Sequence, residues 1–375
     1  MNSSQSALSR TRVLHIIQNL NYGGMERLLA DIVRGLDRAR FDAHVLALQY
    51  LGRFADGLRE VAQLHLAKPM SRWSMIRPSS LARQIASIEP DVVHTHSGVW
   101  FKASLAARMA GVRRIIHTEH GRAQPDPLMD RAIDALAARR TDVIVAVSER
   151  LAQQIVATHI APATRVRVIP NGVETSVLRP RMDDGALRRE LGISSHVAVL
   201  GSIGRLEPIK GYDIMVDAFA TLVAEWHADE PPVLVVAGDG SEREALEHAI
   251  EDRGLRGRVY FLGWRNDIQS LLSTFTLFTM SSRSEGTSIS LLEAMSSGLC
   301  PVVTDVGGNR AVLGDQLTHR LVPAGDARVL STAWREALCD PVRRRDDAVL
   351  ARMRVETAFD LRATIGEYEQ LYEMR

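Results

Sequence analysis

Two glutamates eight positions apart, Glu285 and Glu293, stand in the run Ser284-Glu285-Gly286-Thr287-Ser288-Ile289-Ser290-Leu291-Leu292-Glu293. The residue types suit the place where a strand ends and a helix begins. The N–H groups of Gly286, Thr287 and Ser288 can then meet a phosphate at the positive end of the helix dipole. A carboxylate beside such an anion site, as Glu285 would be, is poorly placed unless it grips hydroxyls. Glu293, about two turns into the helix, can reach a second set of hydroxyls. A diphosphate flanked by two hydroxyl-binding carboxylates is what a nucleotide sugar requires. The plain alternative makes Glu285 a first-turn helix carboxylate and Glu293 a solvated one. The position of Glu293 inside the apolar run Leu291–Met295 speaks against it.

A second cluster is Gly204-Arg205-Leu206-Glu207-Pro208-Ile209-Lys210-Gly211, where Arg205 and Lys210 can converge on a phosphate pair as a planar fork and a mobile point charge. Only Lys68, Lys102 and Lys210 are lysines, which makes the placement of Lys210 more informative than that of one arginine among many. In Asn19-Leu20-Asn21-Tyr22-Gly23-Gly24, the pair Gly23-Gly24 is either a flexible strand-to-helix turn or a place where a bulky or anionic ligand approaches the backbone. His120, in His117-Thr118-Glu119-His120-Gly121-Arg122, ends a strand and is either a ligand-facing group or a satisfied packing residue; His94 and His96 pose the same choice. No histidine spacing matches a metal-ligand set with carboxylate or cysteine support, so no metal site is expected.

These loops need elements to hold them. Near-continuous apolar runs at Val13–Ile17, Ala43–Leu48, Asp91–His94, Arg114–His117 and Val143–Val147 read as parallel strands buried on both faces. They alternate with helical patterns at Met25–Leu36, Leu81–Ile88, Lys102–Ala110 and Leu128–Ala138. After a polar break at Arg179–Gly185 the alternation restarts. Its strands are Val197–Ile203, Val233–Ala237, Val259–Phe261, Leu277–Thr279 and Pro301–Thr304, and its helices Tyr212–Trp226, Ser241–Arg253, Ile268–Ser273 and Ser288–Ser297. The expected architecture is α/β, with two Rossmann-like doubly wound domains facing a central cleft and a hinge near residues 170–180. Residues 1–170 form the first domain and 171–357 the second, and a C-terminal helix over 358–375 returns to the first.

Composition narrows the classes. The 375 residues carry 46 basic and 45 acidic side chains and only 5% aromatics, which argues against a nucleic-acid binder. The balance conceals an asymmetry: Met1–Pro170 holds 23 basic against 14 acidic residues (+9), and Asn171–Arg375 holds 23 against 31 (−8). Cys300 and Cys339 cannot build a disulfide framework, and reduced thiols in a cytosolic protein are the simplest account. The polar stretch Met1–Arg10 is unlike a signal peptide, and no apolar run is long enough to span a membrane. A cytoplasmic location is expected, with contact at the inner face of the membrane.

With Asn171-Gly172-Val173 and Asp305-Val306-Gly307-Gly308 added, the pattern resembles the retaining family 4 glycosyltransferases of the GT-B fold, of the bacterial polysaccharide type. The resemblance runs from Gly23-Gly24 to the C-terminal helix. It implies transfer of a sugar from a nucleotide-diphosphate sugar to a glycan or polyprenyl-linked acceptor in cell-surface polysaccharide or glycolipid synthesis, with no cofactor and no metal. It further implies that Glu285 binds sugar hydroxyls and Glu293 the ribose. Arg205 and Lys210 would neutralise the departing diphosphate, assisted by the amides of Gly286, Thr287 and Ser288. His120 would contact the sugar, and Gly23 and Gly24 would border the donor phosphate and the acceptor. Base recognition would fall near Gly263-Trp264-Arg265. Two positions depart from the family pattern: Ala311 stands where a glutamate often follows the Gly307-Gly308 pair, and Glu119-His120-Gly121-Arg122 replaces a histidine-aspartate pair. The basic first half would suit an anionic membrane surface.

Other classes remain for comparison. A nicotinamide oxidoreductase requires G-x-G-x-x-G, which neither Gly23-Gly24 nor Gly238-Asp239-Gly240 supplies, because position 243 is arginine. A GT-B nucleotide-sugar epimerase would share the donor pocket without a separate acceptor. A catalytically silent nucleotide-sugar-binding protein would have no need of Glu285, Glu293, Arg205 and Lys210 together.

Overall fold

The computed structural model describes residues 10–21, 23–69, 77–121, 127–227 and 230–374. Tyr22 of the first glycine loop, Arg122 after His120, and residues 1–9 of the polar N-terminus lie outside the described residues. The chain divides into two compact units, one of Met1–Asn171 with Leu361–Arg375 and the other of Gly172–Asp360.

The first unit is a seven-stranded parallel sheet. Its elements are β1 (Thr11–Asn19), α1 (Gly24–Gly35), β2 (Phe41–Tyr50), β3 (Gln63–Leu66), α2 (Ser79–Ile88), β4 (Val92–His96), α3 (Trp100–Met109), β5 (Arg114–Glu119), α4 (Leu128–Ala138), β6 (Val143–Ala146), α5 (Glu149–Ala157) and β7 (Val166–Val168). The strand order is β3-β2-β1-β4-β5-β6-β7. Alternate residues face opposite sides. Leu14, Ile16, Leu46, Val93 and Ile115 therefore pack on one face with Leu81 and Ile85 of α2 and Ala103 and Ala107 of α3. The opposite face is partly polar. It carries His15, His94 and His96, and Tyr368 and Tyr372 of the C-terminal helix reach it.

The second unit repeats the plan with six parallel strands. Its elements are α6 (Ala186–Leu191), β8 (Val199–Ile203), α7 (Tyr212–Ala224), β9 (Val233–Ala237), α8 (Arg243–Asp252), β10 (Val259–Phe261), α9 (Ile268–Thr274), β11 (Leu277–Met280), α10 (Ile289–Ser296), β12 (Pro301–Thr304), α11 (Asn309–Leu313), β13 (Leu321–Val322), α12 (Ala327–Cys339) and α13 (Pro341–Ala358). Strand order is β10-β9-β8-β11-β12-β13. Fully buried Trp334 anchors α12 to the sheet, its indole N–H donating to Thr279 Oγ1 at 2.8 Å. The last helix, α14 (Leu361–Glu373), belongs to the first unit.

The chain leaves the first unit between Asn171 and Gly172 and re-enters it between Asp360 and Leu361. The polar break at Arg179–Gly185 is not a linker. Arg179 exchanges hydrogen bonds with Gln269, and Asp183 accepts from Arg188 and Thr274, so the stretch is part of the second unit. Cys300 is buried, which pushes its thiol up to about 11, and Cys339 is exposed; neither forms a disulfide.

Candidate active site

In an open parallel sheet, ligands bind beyond the carboxyl ends of the strands where the order reverses. In the second unit that point lies between β8 and β11. The loop after β8 carries Arg205 and Lys210, and the loop after β11 carries Glu285, so tertiary structure brings together residues some 80 positions apart in sequence. Lys210 Nζ lies 2.6 Å from Glu285 Oε1, and Ser282 Oγ donates to the same oxygen at 2.6 Å. Both charged side chains are largely buried, at 19% and 8% exposure. Arg205 is exposed beside them in sequence, with no side-chain partner among the described residues.

The glycines of these loops have a definite structural task. At Gly307 φ is +55°, and an added Cβ would sit 1.8 Å from the carbonyl oxygen of Glu285. At Gly238 a Cβ would lie 1.9 Å from the carbonyl oxygen of Gly204. The strand-end loops thus stack backbone on backbone, and Gly308 N–H donates to Gly286 O at 2.8 Å. Thr304 Oγ1 donates to Ser282 O at 2.8 Å and ties the third loop to the second.

Helix α10 spans Ile289–Ser296, within one residue at each end of the stretch Ser288–Ser297 read from the sequence. Ser288 is its N-cap, its hydroxyl accepting from Leu291 N–H, so Gly286 and Thr287 lie in the preceding bend rather than in the first turn. Glu293 is only 6% exposed, which removes the solvated alternative. Trp264 is 42% exposed on the turn whose Gly263 carbonyl accepts from Gly238 N–H. Arg265 of that turn is held by Asp267 and Glu190, and these carboxylates raise its pKa further.

In the first unit the strand order reverses between β1 and β4. A cavity of about 450 Å³ is lined there by Gln18, Ser97, Trp100, Lys102, Glu119 and Asp134, among others. Glu119 Oε1 accepts from Ser97 Oγ at 2.6 Å and from the His120 N–H at 3.0 Å, shaping the turn that carries His120. Burial lowers the pKa of His120 to about 4, so its ring is neutral near pH 7. Gly23 caps α1 with an extended backbone (φ 175°), a conformation open to any residue, and the atoms nearest to an added Cβ would be those of the Glu26 side chain. His94 and His96 are core residues, at 0% and 1% exposure. His117 is stacked at 4.0 Å on Trp100 from the other face of the sheet. The sequence reading missed this histidine layer, although the alternation His94-Thr95-His96 was its signal.

Two doubly wound units, with a cation–carboxylate pair at the switch point of the second, are the architecture that the GT-B resemblance implies. Residues 22–177 match the model described as Glycosyltransferase Family 4, and residues 183–351 match the one described as Glycosyl transferases group 1. The chain belongs to the family 4 glycosyltransferases. It is 26% identical to the UDP-Gal:alpha-D-GlcNAc-diphosphoundecaprenol alpha-1,3-galactosyltransferase of Escherichia coli, over 98% of each chain. It is 29% identical to the N-acetyl-alpha-D-glucosaminyl L-malate synthase of Bacillus anthracis, over 75% of this chain and 74% of that one. The crystal structure of Anabaena HepE in complex with UDP-glucose superposes with a TM-score of 0.84 at 22% identity, over 97% of this chain and 100% of that one.

Proposed function

We propose that this glycosyltransferase moves a sugar, with retention of anomeric configuration, from a nucleotide-diphosphate sugar to a glycan or polyprenyl-diphosphate-linked acceptor in the synthesis of a surface polysaccharide or glycolipid. The observation that carries the reading is the contact of Lys210 with Glu285 at the second switch point, on a loop that also carries Arg205. A diphosphate entering there competes with Glu285 for the ammonium of Lys210. The carboxylate is then released toward sugar hydroxyls, and Glu293 binds the ribose. Arg205 and Lys210 stabilise the charge that develops on the leaving diphosphate, with help from the amides of Gly286, Thr287 and Ser288. Such catalysis needs no metal. His120, neutral at working pH, offers a hydrogen bond to the transferred sugar, and Gly23 and Gly24 border the acceptor. The E. coli relative, named for a UDP-galactose donor and a diphosphoundecaprenol-linked acceptor, supports a UDP-sugar and a lipid-linked acceptor as the first pair to try.

The first unit, with 25 basic against 17 acidic residues, would favour an anionic membrane at the cytoplasmic face. No helix among the described residues is long and apolar enough to cross a membrane. The deciding experiment offers UDP-, GDP- and dTDP-sugars to the wild type and to Glu285→Ala, with the anomeric configuration of the product read by NMR. Transfer by the wild type, its loss in the variant and an axial-to-axial outcome are expected. Absence of turnover with every donor, or inversion, would refute the proposal.

A further inference from the structure

The polar face of the first sheet holds a chain of imidazoles that ends at His120. Strand register creates it. His15 on β1 is paired with His94 on β4, and His96 is paired with Thr118 on β5, so His15, His94, His96 and Thr118 share one face. His120, two residues beyond Thr118, follows at the end of the same row. Two separate hydrogen-bond paths run through this layer. In one, Tyr372 OH meets His94 Nδ1 at 2.7 Å, and His94 Nε2 meets Thr118 Oγ1 at 2.8 Å. In the other, His15 Nδ1 meets His96 Nε2 at 3.3 Å, and His96 Nδ1 meets His120 Nε2 at 3.4 Å. His15 and His96 are 0% and 1% exposed, whereas His120 is half-buried.

Resting on the reading of His120 as a sugar-contacting group, we infer that His15 and His96 are positioning residues that fix His120 in the tautomer with its proton on Nδ1, so that it meets substrate as a hydrogen-bond donor.

The direction of the chain follows from bond accounting. Each neutral imidazole has one N–H and one lone pair, so the direction of one bond sets the others. His15 Nε2 is buried and has no partner. If the bonds ran inward, that atom would carry an orphaned N–H. If they run outward, it carries only an unused lone pair, and a buried N–H without an acceptor is the rarer and costlier defect. His15 Nδ1–H therefore donates to His96 Nε2, and His96 Nδ1–H donates to His120 Nε2. The proton of His120 is left on Nδ1, for which no protein partner is present among the described residues. Burial keeps the chain neutral, lowering His15 to about 3 and His120 to about 4.

The same rings offer a competing explanation. One nitrogen each of His15, His94 and His96 lies within 4.8 Å of the others, as in a three-histidine metal site. Every nitrogen of the three except His15 Nε2 is already hydrogen-bonded, however, and no carboxylate is among them to offset a buried dication.

Long-range proton–nitrogen NMR spectra of the full-length protein, without ligand, report which ring nitrogen of His120 is protonated; His120→Gln assigns the signals. The wild type is expected to show protonated Nδ1. In His15→Leu the bias disappears and the ring moves toward the Nε2–H form that imidazoles favour in water. His15→Asn, whose amide N–H can replace Nδ1–H, restores the wild-type pattern. Turnover in His15→Leu falls roughly 10- to 100-fold, the worth of one hydrogen bond to the reacting sugar, while His15→Asn stays near wild type. Protonated Nε2 in the wild type overturns the inference even if neither variant folds. So does an unchanged spectrum in His15→Leu, or one equivalent of divalent metal in the purified protein. If the tautomer shifts as expected but turnover does not, His15 and His96 do position the ring, and the reading of His120 as a substrate donor falls.

Discussion

Lowering the pH from 7 to 5 will loosen the first unit while leaving the second largely unaffected. The four histidines of the buried layer set most of the effect, and His44 and His65, also lowered by burial, act in the same direction. An unfolded histidine titrates near 6.5. Burial lowers His15 to about 3 and His120 to about 4, and holds His94 and His96 well below the usual value, where neighbouring imidazoles push in the same direction. Below pH 6.5 the unfolded chain gains protons at these positions and the folded chain does not. Stability is therefore present above 6.5 and is lost as the pH falls, until the folded groups themselves titrate at about 4 and about 3. Each unit below 6.5 costs about 1.4 kcal/mol per histidine, hence roughly 2 kcal/mol each at pH 5 and at most roughly 8 kcal/mol for the four. That is comparable to the whole stability of an ordinary domain, about 5–15 kcal/mol. The buried histidines of the described residues all belong to the first unit. Hydrogen exchange at pH 7 and pH 5, corrected for the intrinsic rate, separates the units by peptide. Peptides from β1, β4 and β5 should lose several kcal/mol of protection relative to those from β8 and β11. Equal losses in both units, or none in the first, would refute the reasoning.

The second unit's chemistry and the first unit's membrane contact can be tested separately. Lys210→Met should lower kcat by about a hundredfold or more, since it removes a charge aimed at the leaving diphosphate, and initial-rate assays at saturating donor would show it. Gly307→Ala should destabilise the second unit by roughly 2–5 kcal/mol, combining left-handed strain with a clash against the Glu285 carbonyl. Hydrogen exchange at β11 and β12 would detect that loss. Turnover should survive exhaustive EDTA treatment, and recovery only on adding a divalent ion would contradict cation supply by Arg205 and Lys210. Flotation with liposomes should favour vesicles rich in anionic lipid, and equal partitioning with neutral vesicles would remove the proposed membrane contact.

Much of the fold was legible because strands buried on both faces read as continuous apolar runs, such as Val233–Ala237. Of the edge strands, Val259–Phe261 was legible, and β3, β7 and β13 were not. Gln63–Leu66 is half exposed and Leu321–Val322 is only two residues long, so neither leaves a pattern to find. The polar stretch Arg179–Gly185 shows a similar limit. A polar stretch looks alike whether it is a linker or a surface segment pinned by Gln269 and Thr274.

The sequence by itself determined the alternation of strands and helices. It also determined the loops that carry Arg205, Lys210, Glu285 and Glu293, because each of these signals is local. Tertiary structure alone decided which of them touch. Lys210 meets Glu285 because β8 and β11 are neighbours at the point where the strand order reverses. The imidazole chain from His15 to His120 needs three strands in one register, and a helix more than 240 residues further along the chain covers its neighbour His94. Register and strand order arise from the packing of the whole sheet, and no short stretch of residues contains them.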